Sequence, residues 1–512
     1  MARTLIRAHT LLTQSAMQPV VRSGGITIED GVIREVGPLA ELERKGPYDT
    51  VLGDQERHLA LSGFINGHHH SLRPARIGLR SSPLESWLAR SRERQLPALS
   101  PDQVYDHTLW GTLQFVKSGV TAVVDHYPFD PRLEDLGVPA SIQAYLDAGV
   151  RAAVCVACSD QQRYVYEDDE AFLARLPTDL GEALRVKLRP FDRDAFLSLW
   201  ERLAARFDGQ DGRIRLGFGP GGPQWCSDEL LRRLGSTANE HDHAPVQIHL
   251  LESRFQALYG YRRYGKSIVE HLADLQFFGP ATSCAHCVWV SRRDIELLAE
   301  AGSVAVHNPS SNLILFNGIA PIADLLDGGA RVGFGLDAAG LNDTMDMLTD
   351  LRLGLLLQRR PGWDGRQVSA ADMLSIATHG GAAALGMGTS LGRLEAGYLA
   401  DVVLVDRTRL YASPYVSPLA PADEVLLRRA SADDVDLVVV GGRLVVEHGK
   451  ALGIDEAALE RRVAASLART YELLESADAS FERLEPYISS FYRAWEAEAE
   501  EMLRPNYQYN TR

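Results

Sequence analysis

The segment LSGFINGHHHS, residues 61–71, has the residue types and spacing of a metal site. Its apolar start predicts a buried strand, and His68 and His70 stand two positions apart at the strand end, so both imidazoles point to the same side of the pleat. Imidazole nitrogens ligate zinc and other divalent metals. A histidine tract can also be a polar loop or an interface patch, so the metal interpretation depends on further ligands elsewhere.

Four other apolar runs end in side chains that bind metals or transfer protons. These side chains are His249 and Glu252 in QIHLLES, His286 in SCAHCVWV, His307 in VAVHNPSSN and Asp337 in FGLDAAG. A buried structural histidine would explain any one of them alone. In a barrel of parallel strands, however, catalytic groups come from the C-terminal ends of several strands. Agreement at five strand ends therefore predicts a single catalytic centre.

The elements that carry these residues alternate between strand and helix. Apolar runs near residues 64, 121, 151, 213, 245, 282, 303 and 331 predict strands. Helical periodicity lies between them, over residues 101–119, 194–207, 227–240, 291–302 and 319–329. Eight strands separated by helices predict an α/β protein with a (β/α)8 barrel. The alternative is an open doubly wound sheet, which is disfavoured because no strand is followed by a Gly-rich phosphate loop.

The two ends of the chain have a different pattern. Residues 1–60 and 390–455 contain alternating strands joined at Asp-Gly and Gly-Gly turns, which indicate antiparallel hairpins. Because chain termini often lie close together, we expect both ends to form one small β-sandwich domain. Residues 61–389 then form the barrel domain. Residues 456–512 are predicted to be a charged helical extension, with helices that lie on the surface or contact another subunit.

Composition and charge exclude several classes of protein. The 512 residues are 45% hydrophobic and 24% charged, an ordinary globular composition. The formal net charge of -15 argues against nucleic acids and anionic membranes as partners. Five cysteines are too few and odd in number for a disulfide scaffold, so we expect a reducing compartment, the cytoplasm. The N-terminus lacks an unbroken apolar stretch, so neither secretion nor membrane insertion is expected.

Five motifs together resemble the amidohydrolase superfamily. They are GFINGHHH, HLLES, AHCVWV, HNPSSN and GLDAAGLND, within a resemblance that covers about residues 1–450. The likeness is to the branch of aminohydrolases that deaminate or dechlorinate N-heterocycles, such as guanine, adenosine-type and triazine substrates. It implies a (β/α)8 barrel with a small β-sandwich made from both chain ends, in agreement with the periodicity.

The resemblance also implies a metal and its ligands. One divalent metal would be held by His68, His70, His249 and Asp337, with one position left for water. Zinc suits this imidazole-rich set, and ligand identity leaves iron and manganese as alternatives. Binuclear members bridge two metals through a modified lysine on the fourth strand, and RIRLGFG contains no lysine. Lys187 in LRVKLRP is the only nearby candidate, should the fourth strand lie earlier in the chain. A single ion is therefore expected.

The resemblance assigns proton transfer to three residues. Glu252 takes a proton from water and delivers it to a ring nitrogen, while His286 and Asp337 orient the hydroxide and pass protons to the leaving group. The reaction is hydrolytic removal of an exocyclic amino group from a purine, pterin, pyrimidine or triazine-like ring. The expected partners are this small heterocyclic substrate, water, and further copies of the chain in a dimer or larger homo-oligomer.

Substrate contacts are predicted only from positions on the loops that follow strands. The candidates are Arg73, Arg76, Glu85, Trp87, Tyr127, Gln224, Trp225 and His307. The segments ARIGLR and PGGPQWCS differ from the substrate loops typical of guanine and adenosine deaminases, and LDAAG replaces the commoner Thr-Asp-Gly. The sequence therefore predicts the metal centre and leaves the identity of the ring open.

Competing interpretations of the chain are weaker. The same activated water could hydrolyse another C–N or a C–Cl bond on such a ring, or the chain could be a non-catalytic scaffold of the same fold. The pairs Cys155/Cys158 and Cys284/Cys287 resemble halves of a zinc ribbon but lie too far apart, so core cysteines are expected. The segment EHDH, residues 240–243, precedes a strand and is predicted to be a solvated loop.

Overall fold

The computed structural model describes residues 3–71, 80–93, 99–128, 136–363 and 365–503. Its strands are β1 (Arg3–Leu12), β2 (Val20–Glu29), β3 (Val32–Pro38), β4 (Thr50–Ser62), β5 (Phe64–His70), β6 (Val120–Tyr127), β7 (Arg151–Cys158), β8 (Ile214–Pro220), β9 (Val246–Leu250), β10 (Thr282–His286), β11 (Val304–His307), β12 (Arg331–Phe334), β13 (Asp337–Ala338), β14 (Val402–Asp406), β15 (Val435–Val440), β16 (Arg443–Glu447) and β17 (Lys450–Ala451). They form two sheets.

Most of the helices surround the larger sheet, which contains β5–β13. They are α1 (Leu39–Glu43), α2 (Leu84–Glu93), α3 (Pro101–Val116), α4 (Gly137–Asp147), α5 (Asp169–Leu173), α6 (Thr178–Arg185), α7 (Arg193–Phe207), α8 (Asp228–Glu240), α9 (Arg254–Tyr264), α10 (Ile268–Asp274), α11 (Arg292–Ala301), α12 (Pro309–Ile314), α13 (Ile322–Asp327), α14 (Met347–Leu357), α15 (Ala370–Ser375), α16 (Gly381–Ala384), α17 (Arg407–Leu410), α18 (Ala422–Arg429) and α19 (Glu456–Met502). Ser100, Ser227 and Ser291 cap α3, α8 and α11 by accepting backbone N–H bonds, which explains where these helices begin.

The larger sheet is a barrel of parallel strands. From β5 to β12 the strands pair in chain order. The eighth strand position is divided, because β12 pairs with β11 whereas β13 pairs with β5. In the second pairing Asp337 lies opposite His69, and this seam joins the last strand to the first. Each of the eight predicted strands is present. The predicted (β/α)8 barrel is therefore confirmed, and the alternative of an open doubly wound sheet is wrong.

The interior of the barrel is apolar at its N-terminal end. A cluster that we call the barrel floor consists of Ile65, Ala122, Val124, Ala153, Cys155, Val304 and Val306. Ala382 and Ala384 of α16 belong to the same cluster and pack beneath it. A second, larger core lies between the strands and the surrounding helices. Because both faces of the strands are covered, the sequences of the strands are nearly continuous apolar runs.

The smaller sheet joins the two ends of the chain, in the order β17-β16-β15-β14-β4-β1-β2-β3. β4 and β14 pair antiparallel, and this pairing brings the N-terminal and C-terminal segments together. The predicted hairpin turns are present, with φ of 51° and 76° at Asp30 and Gly31 and of 54° and 76° at Gly441 and Gly442. The sheet encloses its own apolar cluster, so the expected β-sandwich is confirmed. The predicted domain boundaries remain predictions.

The C-terminal extension is one helix of 47 residues, α19, whereas the sequence predicted several helices. Its second half has a stripe of buried residues spaced three or four apart: Phe481, Leu484, Ile488, Tyr492, Trp495 and Ala499. This stripe packs on the barrel helices α2 and α9, and the first half of α19 packs on α3. The buried face is therefore intramolecular. None of the described helices combines the length and hydropathy needed to cross a membrane.

Candidate metal centre and active site

Metal-ligating atoms from separate strands meet at the C-terminal end of the barrel. The Nε2 atoms of His70 and His249 lie 3.2 Å apart. Oδ1 of Asp337 lies 3.7 Å from Nε2 of His68 and 3.7 Å from Nε2 of His70. Two overlapping groups, one of His68, His70 and His249 and one of His68, His286 and Asp337, have their ligand atoms within 4.8 Å of one another. The four proposed ligands thus face a common point.

Each of the three histidines is held from its outer side. Nδ1 of His68 donates to Oε1 of Gln247 at 2.9 Å. Nδ1 of His70 donates to the backbone carbonyl of His126 at 2.9 Å, and Nδ1 of His249 donates to that of Gly221 at 2.7 Å. Because carbonyl oxygens only accept, Nδ1 carries the proton in each ring and Nε2 presents a lone pair to the centre.

Asp337 is oriented by helix α12, which follows β11, and by the backbone of the next residue. Its Oδ2 accepts from the Ser311 hydroxyl at 2.6 Å, and its Oδ1 accepts from the backbone N–H of Ala338 at 2.7 Å. Burial opposes ionisation of this carboxyl, but His68, His286 and Ser311 outweigh it and lower the pKa of Asp337 below its ordinary value. Asp337 is therefore a carboxylate in the folded protein, which is the form that binds metals.

Two residues of the centre have a strained backbone. Asp337 has φ of 58° and His286 has φ of 75°, values in the left-handed region that residues with a Cβ seldom adopt. Such a conformation costs about 1 kcal/mol or more at each position. The surrounding hydrogen bonds hold both residues in place, with Nδ1 of His286 donating to Oδ1 of Asn312 at 2.8 Å.

Glu252 lies beside this cluster and is almost completely buried. Its Oε2 lies 3.7 Å from Nε2 of His286, and its Oε1 accepts from Nδ2 of Asn317 at 3.0 Å. Burial raises the pKa of Glu252 well above its ordinary value, with further contributions from the Asp337 and Glu85 carboxyls, and the bond from Asn317 opposes them only in part. A carboxyl with a raised pKa can hold a proton near neutral pH, as a general acid and base requires.

Two observations fit a cation at this point. In the described part of the chain, the buried Nε2 of His68 has no hydrogen-bond partner. Burial lowers the pKa of His68 to about 4 despite the opposing effect of Asp337, so the ring is neutral at pH 7 and can ligate a metal. Neutral imidazoles with a carboxylate are the donor set of zinc and similar divalent ions. The residues present therefore fit the implied metal.

The fourth strand of the barrel is β8, Ile214–Pro220, as the sequence predicted, and it carries no lysine. Lys187 lies elsewhere, with Nζ 2.5 Å from Oε2 of Glu93. At the end of β8 the ring of His126 fills the space next to Gly219, where an added Cβ would lie 3.0 Å from Cε1 of that ring. A bridging lysine for a second metal is therefore absent from β8.

The residues predicted to contact the substrate lie in several different environments. Trp87 packs in a small apolar cluster with Leu84, Leu315, Ala338 and Leu341, and Tyr127 packs in the core outside the strands. Gln224 is buried and its Oε1 accepts from Nε2 of Gln256, while Trp225 lies under the guanidinium of Arg92. His307 contacts the ring of Phe334. Arg73 and Arg76 fall outside the described residues.

Several residues at the centre were missed by sequence reasoning. They are His126, Gln247, Ser311, Asn312 and Asn317. The ring of His126 lies 4.7 Å from that of His249 and 5.1 Å from that of His70, between centroids. A signal was available for Gln247, because it stands two positions before His249 and thus shares its strand face. Ser311 and Asn312 belong to the HNPSSN motif, of which only the histidine was selected.

The competing metal motifs do not form sites among the described residues. All five cysteines are free and buried, as expected for core residues. The residues of EHDH are exposed and lie at the end of α8 and just after it, and the groups with metal-ligand spacing are confined to the centre described above.

Comparison with known proteins gives consistent matches. The profile of the amidohydrolase family matches residues 59–445. A 5'-deoxyadenosine deaminase of Methanosarcina mazei is 30% identical over 457 residues, covering 89% of this chain and 95% of that protein. A 5-methylthioadenosine/S-adenosylhomocysteine deaminase of Pelotomaculum thermopropionicum is 32% identical over 461 residues, covering 89% and 96%. The crystal structure of an adenosine deaminase from Xanthomonas campestris with bound zinc superposes with a TM-score of 0.75 at 25% identity, covering 93% of this chain and 99% of that one.

Proposed function

The chain belongs to the amidohydrolase family, and from this membership and the geometry of its centre we propose that it is a metal-dependent deaminase of an adenine nucleoside. The observation that carries the proposal is the convergence of His68, His70, His249 and Asp337 on one point beside the buried carboxyl of Glu252. Relatives named as deaminases of 5'-deoxyadenosine, 5-methylthioadenosine and S-adenosylhomocysteine support an adenine ring as the substrate. These substrates differ mainly at the 5' position of the ribose.

The metal is proposed to be a single zinc ion held by the three histidines and Asp337. A divalent metal bound there supplies hydroxide near neutral pH by lowering the pKa of water. The zinc-bound adenosine deaminase structure supports this choice of ion. The protein's own contribution is to hold each ligand in one orientation through the Nδ1 hydrogen bonds and the bond from Ser311 to Asp337.

Proton transfer is proposed to depend on Glu252 and His286. Glu252 takes a proton from the attacking water and gives it to the ring nitrogen next to the amino-bearing carbon, while Asn317 keeps its carboxyl in position. His286, held by Asn312, and Asp337 orient the water and pass a proton to the amino group. The water oxygen bonds to the amino-bearing carbon, the C–N bond of the amino group then breaks, and the products are an oxo-purine and ammonia.

Two further expectations belong to this proposal. The substrate is a small molecule, and the net charge of -15 argues against nucleic acid as a partner. We keep the predictions of a homo-oligomer and of the cytoplasm as proposals, the latter supported by five free, buried cysteines.

An ammonia-release screen combined with elemental analysis tests the proposed function. Purified enzyme is incubated with 5'-deoxyadenosine, 5'-methylthioadenosine, S-adenosylhomocysteine, guanine, a pterin and aminated or chlorinated triazines. We expect bound zinc and ammonia from the adenine nucleosides. Chloride or alkylamine release from a triazine, without ammonia from any nucleoside, would instead favour the alternative reaction on C–Cl or C–N bonds. Protein without metal and without turnover would contradict the proposal and favour a scaffold.

A further inference from the structure

A second buried carboxyl, Glu85 of α2, lies close to the proposed proton carrier. Its side chain is 5% exposed. Its Oε1 accepts hydrogen bonds from the Ser253 hydroxyl at 2.5 Å and from the Tyr166 hydroxyl at 3.1 Å. Ser253 follows Glu252 in the chain and caps α9. One hydrogen bond therefore connects Glu85 to the residue that adjoins Glu252.

Tyr166, which supplies the other donor, is positioned by aromatic packing. It lies between β7 and α5, in a segment without regular secondary structure. Its ring centroid is 5.4 Å from that of Tyr492, 5.9 Å from that of Trp225 and 6.1 Å from that of Tyr259, all in edge-to-face contact. Tyr492 belongs to the buried stripe of α19, so this helix forms one wall of the Tyr166 site.

Helix α19 is anchored to both elements that flank the two carboxyls. Ser480 donates to Oε2 of Glu93 in α2 at 2.8 Å. Glu496 pairs with Arg254, the first residue of α9. The helix therefore spans from the helix that carries Glu85 to the helix that begins directly after Glu252 and Ser253.

The family match ends at residue 445, whereas α19 begins at Glu456, so the helix is outside the matched region. We infer that α19 helps to position the proton-transfer residue: Tyr492 fixes Tyr166, Tyr166 donates to Glu85, and Glu85 accepts from Ser253 and so holds the residue next to Glu252. Tyr166 and Tyr492 are positioning residues in this arrangement. The inference rests on the proposed role of Glu252 in proton transfer.

Kinetics of three variants test the inference. Tyr166→Phe removes one hydroxyl, Tyr492→Ala removes the ring, and Tyr492→Phe keeps the ring. We expect kcat to fall about tenfold in the first two, with KM within about twofold and metal content unchanged, because loss of a supporting bond displaces a proton-transfer group. Tyr492→Phe should restore kcat to a value between those of Tyr492→Ala and wild type, because it keeps the ring but loses the bond between the Tyr492 hydroxyl and the Tyr166 backbone. Tyr471→Ala is the matched control, because Tyr471 is an exposed residue of the same helix.

Hydrogen–deuterium exchange gives a readout that is independent of turnover. Amides of residues 84–93 and 252–257 should exchange about tenfold faster in Tyr492→Ala and at the wild-type rate in Tyr471→Ala. Unchanged kcat and exchange in Tyr166→Phe and Tyr492→Ala would overturn the inference, as would a fall in melting temperature with kcat unchanged. If wild-type enzyme releases no ammonia, the proposed function fails, and exchange in these two segments alone decides whether α19 holds Glu85.

Discussion

The two ends of the barrel interior are formed by the same strands, but their buried side chains are stabilised in different ways. In the barrel floor, Ile65, Val124 and Val306 fill the space with apolar atoms, and their burial is favourable by itself. Farther along two of these strands, His68 and His126 are buried in the same interior, where a polar group costs free energy unless it is paired. The difference shows that the polar side chains of the centre need hydrogen-bond partners on their outer side, as Gln247 provides for His68, whereas the floor needs none.

The largest expected effect comes from Glu252→Gln, which keeps the shape of the side chain but removes its capacity to carry a proton. We expect kcat to fall by about 10³, or about 4 kcal/mol in the barrier, with metal content retained. Ammonia release and elemental analysis of the same preparation measure both quantities. Glu240→Gln, at the exposed end of α8, serves as the control. If the E252Q enzyme turns over at the normal rate, Glu252 is not the proton carrier.

Asp350 is a buried carboxyl that is not one of the proposed metal ligands, and it shows what burial alone does to a carboxyl pKa. Asp350 in α14 accepts from the Ser310 hydroxyl, and burial raises its pKa from 3.8 to about 7. Because the folded state binds this proton more tightly than the unfolded state, stability from Asp350 is present below pH 4 and is lost as the pH rises to 7. Asparagine does not ionise, so Asp350→Asn keeps its stability as the pH rises over this range.

The stability of Asp350→Asn relative to wild type should therefore increase by about 4 kcal/mol between pH 4 and pH 8. Urea unfolding at several pH values measures the difference, with the exposed Asp343→Asn as the control. A difference that does not change with pH would show that Asp350 titrates normally. Asp337 is also buried, yet nearby histidines lower its pKa, so the two residues separate the effect of burial from that of charge.

Gln247→Ala tests the outer support of the centre. Without the Gln247 carbonyl, the His68 ring is no longer fixed with its proton on Nδ1. We expect metal affinity to fall about 10–100-fold, or about 2 kcal/mol, with the fold retained. Competition with a chelator measures the affinity, and Gln143→Ala on the exposed face of α4 should leave it unchanged. Equal affinities would mean that His68 keeps its orientation without Gln247.

The smallest effect is expected in the barrel floor. Ile65→Val removes one methylene from a fully buried side chain and should lower the free energy of unfolding by about 1 kcal/mol. Metal content and kcat should stay at wild-type values, because no polar group moves. Urea unfolding and ammonia release test both statements. A loss of metal in this variant would show that the floor and the centre are coupled.

The sequence predicted the strands and the hairpins because each has a local signal. The strands are apolar runs of ordinary length, and the turns at Asp30–Gly31 and Gly441–Gly442 have the residues that left-handed backbone requires. The candidate metal ligands were selected because several strand ends agreed, and the structure brings their side chains together. Asn317 could not be found in this way, since its importance comes from a contact with Glu252 that is remote in sequence. Gln247 shares the strand face of His249, but its bond to His68 becomes visible only in the folded barrel.

Other features depend wholly on tertiary packing. Helix α19 has a charged sequence typical of a surface helix, and only its packing shows that Tyr492 reaches Tyr166. His307 ends a strand like His286 but packs on Phe334, because successive strand residues point to opposite faces. A local pattern does not determine which face meets the centre when a strand is only four residues long, as β11 is.

The seam of the barrel also has a consequence for the order of folding. Asp337 pairs with His69 across a loop of nearly the whole barrel, so the ring closes only after the eighth strand has been synthesised. Closing so long a loop is entropically costly and slow, and contacts of this range tend to form late. A nascent chain that ends before residue 337 lacks both the closing strand and the carboxylate at the centre. Tight metal binding should therefore require synthesis past residue 337.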